Sequence, residues 1–545
     1  MLALLFAGTS SLAFAADPVV PKWGRFEQSF ESSVSYANPV QEATLSVVFL
    51  SPSGETNRVI GFWDGGKTWR VRFSPDTSGK WTWATACSDA QNKGLNLQSG
   101  SFSCAAPAGE GRFNLHGPVR VAHDAFTFEH ADATPFFWLA DTAWNGALLS
   151  KPTDWDFYLQ TRARQKFTAV QWVATQWRAA PNGDVNGQLA FTGTEKIAVN
   201  PEFFRRLDEK ADAVNKAGLL NVPVLLWAIG GSSAEQNPGA YLPESQAILL
   251  ARYMVARWQA NDVAWILGGD GHYFGGEGEK WRRIGRAVFN DISHAPVGMH
   301  PQGRHWVLNE FKEETWVGFI GYQSGHGDSD EALSWLTRGP LVQEWNTEPH
   351  HPFINLEPPY EGHLAYDSRK PIGADLVRRA LYWSLLNAPT AGVSYGAHGV
   401  WGWDDGTKPP TDHPGTGTPL PWQKALMMPG AEQMTNLASF FNSIDFSHLR
   451  PMPEAIVNNP GGQSPRKYIA AARSEKKDLT VVYVPEERTV EILLSALPPS
   501  PDVKWFNPRT GENSAAVAVI TDTTAQFPTP SEGDWILWMQ TQVKK

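Results

Sequence analysis

Two carboxylates carry the chemistry this sequence is equipped to do. Asp270 closes the run Asp262-Val-Ala-Trp-Ile-Leu-Gly-Gly-Asp270-Gly-His272, and 87 positions later Glu357 closes Pro352-Phe-Ile-Asn-Leu-Glu357-Pro-Pro-Tyr360. Each is a short apolar run ending abruptly in an acid, followed by Gly, Pro and aromatic residues. Such runs, alternating with helical patterns, read as buried strands of a parallel sheet. In parallel barrels the chemistry sits at the C-terminal strand ends. Two carboxyl groups facing one cleft can cleave a glycosidic bond: one protonates the leaving oxygen, the other attacks the anomeric carbon or activates water. For Asp270 a second reading stays open, because Gly-Asp-Gly is also a common turn.

Other strand-end residues are candidates for binding substrate. Asp141, in Trp138-Leu-Ala-Asp-Thr-Ala-Trp144, is expected either to face the mouth and bind hydroxyls or to cap the following turn. Tyr395 ends the last strand-like run and is placed with it. His272 and Tyr273 follow Asp270, His300 and Gln302 end a fifth run, and Gln323 and His326 end a sixth. Several polar groups converging on one face are a stronger signal than one, since such groups need partners. Trp144, Trp177, Trp227, Tyr360, Trp401 and Trp403 could form stacking walls, with core packing the alternative for each. There is no H-E-x-x-H, no His/Cys zinc spacing and no G-x-S-x-G elbow, so neither a metal nor another cofactor is implied.

The elements that must position these groups form three stretches. Residues 22–112 show period-two alternation between Gly/Pro turns, as in Ala43-Thr-Leu-Ser-Val-Val-Phe-Leu50, and are expected to form a β-sandwich. Residues 119–445 alternate strand-like runs with amphipathic helices. The runs are 136–141, 169–175, 223–229, 264–268, 296–300, 318–322, 353–357 and 392–395. Pro201 to Val214 reads as a helix with Asn200 as N-cap and Gly218 as its stop, and 375–387 reads similarly. Eight βα units predict an α/β chain built on a (β/α)8 TIM barrel. The rival, a doubly wound open sheet, lacks a G-x-G-x-x-G after the first strand. Residues 450–545 are again β and predict a second sandwich.

Composition narrows the partners. Net charge is −10 with no dense Lys/Arg cluster, which argues against nucleic acid. Twenty-five tryptophans and 12% aromatic content suit a carbohydrate partner, although most of these rings must be core. Residues 1–15 read as a signal peptide ending in Ala13-Phe14-Ala15, although the basic n-region is missing. No later run reaches the roughly 18 apolar residues of a membrane span, so the mature protein is expected to be secreted or periplasmic without stable membrane insertion. In an oxidising compartment Cys87 and Cys104 are expected to pair, closing a 17-position loop worth about 3 kcal/mol. The alternative is two free buried thiols.

The motifs Trp138-Leu-Ala-Asp-Thr-Ala-Trp144, Leu267-Gly-Gly-Asp-Gly271 and Asn355-Leu-Glu-Pro-Pro-Tyr-Glu-Gly362 together resemble the apiosidase-like glycoside hydrolases. The resemblance covers the whole barrel region. It implies a (β/α)8 enzyme, with Asp270 as acid/base, Glu357 as nucleophile and retention of anomeric configuration. Characterised members remove apiose from the pectin rhamnogalacturonan-II. The flanks resemble a β-sandwich that often precedes such barrels and a C-terminal domain type described as collagen-binding. Three alternatives stand beside this reading: an endo-acting glycanase, a non-catalytic carbohydrate-binding protein on a decayed barrel, and a collagen-binding adhesin.

Overall fold

The computed structural model describes residues 17–542; the signal-peptide expectation for residues 1–15 lies outside the described residues. Eight parallel strands organise the middle of the chain: β1 Trp138–Thr142, β2 Ala169–Val173, β3 Leu220–Trp227, β4 Trp265–Gly271, β5 Val297–Pro301, β6 Ile320–Gln323, β7 Phe353–Glu357 and β8 Gly392–Tyr395. The hydrogen-bonded ladder runs β5-β4-β3-β2-β1-β8 in one six-stranded sheet, and β6-β7 form a second parallel pair. β6 packs beside β5 and β7 beside β8. Most residues of these strands are buried on both faces, the pattern of strands covered by helices. All eight observed strands overlap the predicted runs, with ends shifted by a few residues.

Seven helices of nine residues or more cover this sheet: α1 Pro152–Arg164, α2 Pro201–Lys216, α3 Glu244–Trp258, α4 Gly275–Phe289, α5 Asp330–Arg338, α6 Ala374–Leu386 and α7 Pro429–Asn442. The ends of α2 follow from local chemistry. The Asn200 side chain accepts hydrogen bonds from the N–H groups of Glu202 and Phe203 at 3.1 and 3.4 Å, which satisfies two otherwise orphaned donors. Pro201 occupies the first turn, and Gly218 takes φ +77° just past the end, a left-handed conformation favoured by glycine.

Before the strands, a five-stranded and a three-stranded sheet share one core. Phe26 stacks on Phe102 and Phe49 on Phe73, each at 4.2 Å. This unit is tied to the helices by charge. Arg257 of α3, with a fully buried side chain, pairs with Asp64 at 2.9 Å and with Asp208 of α2 at 2.6 Å, and Arg72 reaches Asp208 at 3.0 Å. The C-terminal sheets are anchored on α6: Arg378 grips Asp534 through two bonds of 2.8 and 2.9 Å, and Trp383 donates to the Tyr468 carbonyl at 2.9 Å.

The expected disulfide is absent: Cys87 and Cys104 are both free. The register explains why. Cys104 lies opposite Gly79, at the start of the strand that ends in Cys87. Eight residues of extended chain put the two positions about 27 Å apart along the hairpin, whereas a disulfide needs Cα atoms within about 7 Å. Burial raises both thiol pKa values, so neither is a reactive thiolate.

Candidate active site

The two acids stand at irregularities that aim them. In β4 the pairing with β5 shifts register around Gly269 and Gly271, and Asp270 takes φ +55°. Bulges of this kind occur beside active sites, where they redirect a side chain, and a left-handed aspartate is a strained position held by its surroundings. The flanking glycines are required by close packing. A Cβ on Gly269 would lie 2.5 Å from the Trp227 ring, and one on Gly268 would lie 2.6 Å from the Tyr273 hydroxyl. In the β6–β7 pair a second register shift after Tyr322 sets Gln323 opposite Glu357.

Glu357 is held as an anion. Its Oε1 accepts from Gln323 Nε2 at 2.7 Å and from His326 Nε2 at 3.0 Å. His300 Nε2 lies 3.4 Å from Oε2. Both histidines are locked in one tautomer by backbone. The Tyr360 N–H donates to His326 Nδ1 and the Asp270 N–H donates to His300 Nδ1, each at 3.2 Å, which leaves the Nε2 proton facing the carboxylate. Burial opposes ionisation here, but these donors outweigh it and hold Glu357 well below the usual carboxylate range.

Asp270 is shifted the other way. Burial first, and the Glu357 charge second, push its pKa up to about 6; His300, Arg178 and His326 oppose the rise. Two carboxyl groups of opposite tendency in one cavity are the arrangement in which one stays ionised while the other carries a proton.

That cavity has a volume of about 400 Å³ and opens at the C-terminal ends of the strands. Trp144, Trp177, Trp227, Tyr360 and Trp401 line it, together with Gln302, Gln323 and His326. His300 lies against it, with its ring 5.4 Å from that of Trp144. Six buried polar atoms on lining residues have no hydrogen-bond partner among the described residues: Arg178 Nε, Trp227 Nε1, His305 Nδ1, Gln323 Oε1, Tyr360 Oη and Trp401 Nε1. Buried polar groups are normally paired, so a wall with this many free donors and acceptors suits a polyhydroxylated ligand.

Several predicted site residues lie elsewhere. Asp141 points to the helix side of the sheet. Its Oδ2 accepts from the Tyr158 hydroxyl at 2.6 Å and from Arg162 Nε at 2.8 Å, both on α1, and the pair is fully buried. Tyr395 is the register partner of Asp141, so it shares that face and donates to Glu361 at 2.7 Å. The residue next to Asp141, Thr142, points to the opposite side and accepts from Gln171 at 3.2 Å. Strand side chains alternate, so a one-residue difference sends a group to the other face. His272 is exposed at the rim, its ring 5.1 Å from that of His305. Tyr273 is buried against Trp281, and Trp403 stacks on Trp422 at 4.2 Å outside the cavity. The Asp141–Arg162 pair makes a stability prediction. Arg162→Met strands a buried carboxylate and is expected to cost about 3–5 kcal/mol in urea unfolding; a loss below about 1 kcal/mol would contradict the pairing described.

The cavity also takes residues from loops that the pattern of strands and helices does not reveal. These are Arg178 after β2, His305 after β5, His363 and Tyr366 after β7, and His413 and Thr416 after β8. His363 stacks on His326 at 4.2 Å, and burial holds its pKa down at about 2. Their one shared signal is position in the loop that follows a strand end, within nine residues for the first four and within about twenty for His413 and Thr416.

The fold is shared with carbohydrate-active enzymes of known structure. A putative glycoside hydrolase from Bacteroides vulgatus ATCC 8482 superimposes with a TM-score of 0.71 at 17% identity, over 96% of this chain and 100% of that one. A family 5 glycoside hydrolase from the same organism gives 0.69 at 20% identity, over 79% and 94% of the two chains. No curated protein matches. With the paired acids at the strand ends, fold and site define a glycoside hydrolase. The model of the apiosidase-like catalytic domain matches residues 123–448, and the chain belongs to that family. Residues 19–88 match a domain of unknown function, and residues 451–540 match a domain described as a putative collagen-binding domain of a collagenase.

Proposed function

We propose that this enzyme removes a terminal sugar, a furanoside such as apiose, from side chains of plant or microbial polysaccharide by a retaining double displacement. Glu357 Oε attacks the anomeric carbon as the glycosidic C–O bond breaks, and Asp270 delivers its proton to the leaving oxygen. Asp270, now a carboxylate, takes a proton from water. That water oxygen displaces Glu357 from the anomeric carbon, and both acids return to their starting states. The observation that carries this reading is the placement of both acids in one cavity at the strand ends, with the N–H groups of Gln323, His326 and His300 turned to Glu357 and none of them to the Asp270 carboxyl.

Exo action is supported by the limited volume of about 400 Å³ and by the bond that joins the β2 and β8 loops across it, where Arg178 donates to His413 at 2.7 Å. We read the eight strands as a closed (β/α)8 barrel with a β-sandwich on either side, and the apolar N-terminus as an export signal. The test is sugar release from aryl glycosides (apioside, arabinofuranoside, galactofuranoside, glucoside, galactoside) and from pectin fractions. Single-sugar release from one furanoside, with the first product of the same anomeric form, is the expected result. Release of oligosaccharides without monosaccharide would mean an endo-acting glycanase, and an inverted product would sink the double displacement.

A further inference from the structure

Arg178 is the one Arg or Lys among the described residues that line the cavity, and its placement is built rather than incidental. Its backbone N–H donates to Asn237 Oδ1 at 3.2 Å. Its Nη2 donates to His413 Nε2 at 2.7 Å. His413 can accept there because its Nδ1 proton is committed to the Thr411 carbonyl at 2.8 Å. Burial holds the His413 pKa down at about 4, so the ring stays a neutral acceptor across the neutral range. Asp412 sits 3.8 Å from Nη1, on the exposed side. The result is a guanidinium fixed with Nη2 4.0 Å from Asp270 Oδ2.

We infer that Arg178, clamped by His413, is a positioning residue for the acid/base step: its fixed positive charge decides when Asp270 gives up its proton. The inference rests on Asp270 acting as acid/base. The other groups around Asp270 either push the other way or are turned to other partners. Glu357 faces it from β7 and pushes the proton on. His300 from β5 and His326 from the β6 loop also oppose the rise, but their Nε2 protons are turned to Glu357. Tyr273, which follows Asp270, and Tyr366, from the β7 loop, are held protonated by burial. Arg178 is thus the permanent cation opposing burial and Glu357. The bond between the β2 and β8 loops makes its position depend on both.

The experiment is the pH dependence of kcat/KM on an aryl glycoside with a poor leaving group, for wild type, Arg178→Met, Arg178→Lys, His413→Phe and Asp270→Asn, with thermal midpoints to confirm folding. Removing a cation at this distance strengthens the Asp270 proton, so Arg178→Met is expected to move the basic limb up by about one pH unit. Arg178→Lys, which keeps a cation, should show only part of that shift, and His413→Phe should produce a smaller one in the same direction. With a dinitrophenyl leaving group, which departs without protonation, the shift in the first step should vanish. If Asp270→Asn abolishes the basic limb but Arg178→Met leaves it where wild type has it, the inference is overturned. A rise in KM at every pH without a moved limb overturns it too, and makes Arg178 a substrate contact. If Asp270→Asn keeps the wild-type limb, the acid/base assignment itself fails.

Discussion

Glu357→Gln is expected to lower kcat by a factor on the order of 10⁴ on any substrate the wild type cleaves, with the fold retained. The substitution keeps volume and shape but removes the charge that three N–H groups converge on. Gln323 and His326 donate to Oε1 at 2.7 and 3.0 Å, and His300 stands 3.4 Å from Oε2. A glutamine amide has no charge to attack with, and its NH₂ must face at least one of these donors. The loss should fall on kcat with good and poor leaving groups alike, because a nucleophile is needed in both. Steady-state kinetics on an activated aryl glycoside would measure it. Retention of more than about a tenth of wild-type activity would remove Glu357 from the chemistry.

Asp270→Asn is expected to behave differently. General acid catalysis is worth roughly 10²–10⁴, and it matters most when the leaving oxygen is basic. The variant should therefore lose activity on natural-type alkyl glycosides and keep much of its first step on dinitrophenyl glycosides. The sign of the pH effect follows from the raised pKa. Asp270 acts as acid only while protonated, so wild-type kcat/KM should fall as pH rises through about 6. Glu357 is held well below the usual carboxylate range, so the acid limb should lie far lower, and both limbs belong to the coupled pair. Asp270→Asn should flatten the basic limb. A limb that persists near 6 in this variant would assign it to another group.

Much of this architecture was legible because its signals are local. A buried parallel strand is an apolar run whatever lies beside it, so β7 and β8 were placed to the residue. A helix end is written in its own cap, as Asn200 and Gly218 show. Asp270 and Glu357 could be picked out because a charge that ends an apolar run must be explained. The loop residues carried no such signal. Arg178 and His413 lie 235 positions apart and become partners only when the β2 and β8 loops meet.

The sequence by itself determined the order of strands and helices, the positions of the two acids at strand ends, and the family. It did not determine which way a strand-end side chain faces. Asp141 and Thr142 are neighbours, yet one is paired with Arg162 on the helix side and the other faces the opposite side of the sheet, because side chains alternate and facing is set by register with the next strand. Likewise the hairpin register alone set Cys87 and Cys104 at opposite ends of the hairpin. The opposite ionisation of Asp270 and Glu357 was also decided only by the tertiary structure. It depends on two register shifts, two histidine tautomers fixed by backbone N–H groups, and a guanidinium delivered from a distant loop. Electrostatics at this range depends on distances of 3–4 Å between groups remote in the chain, and those distances exist only once the loops close over the strand ends.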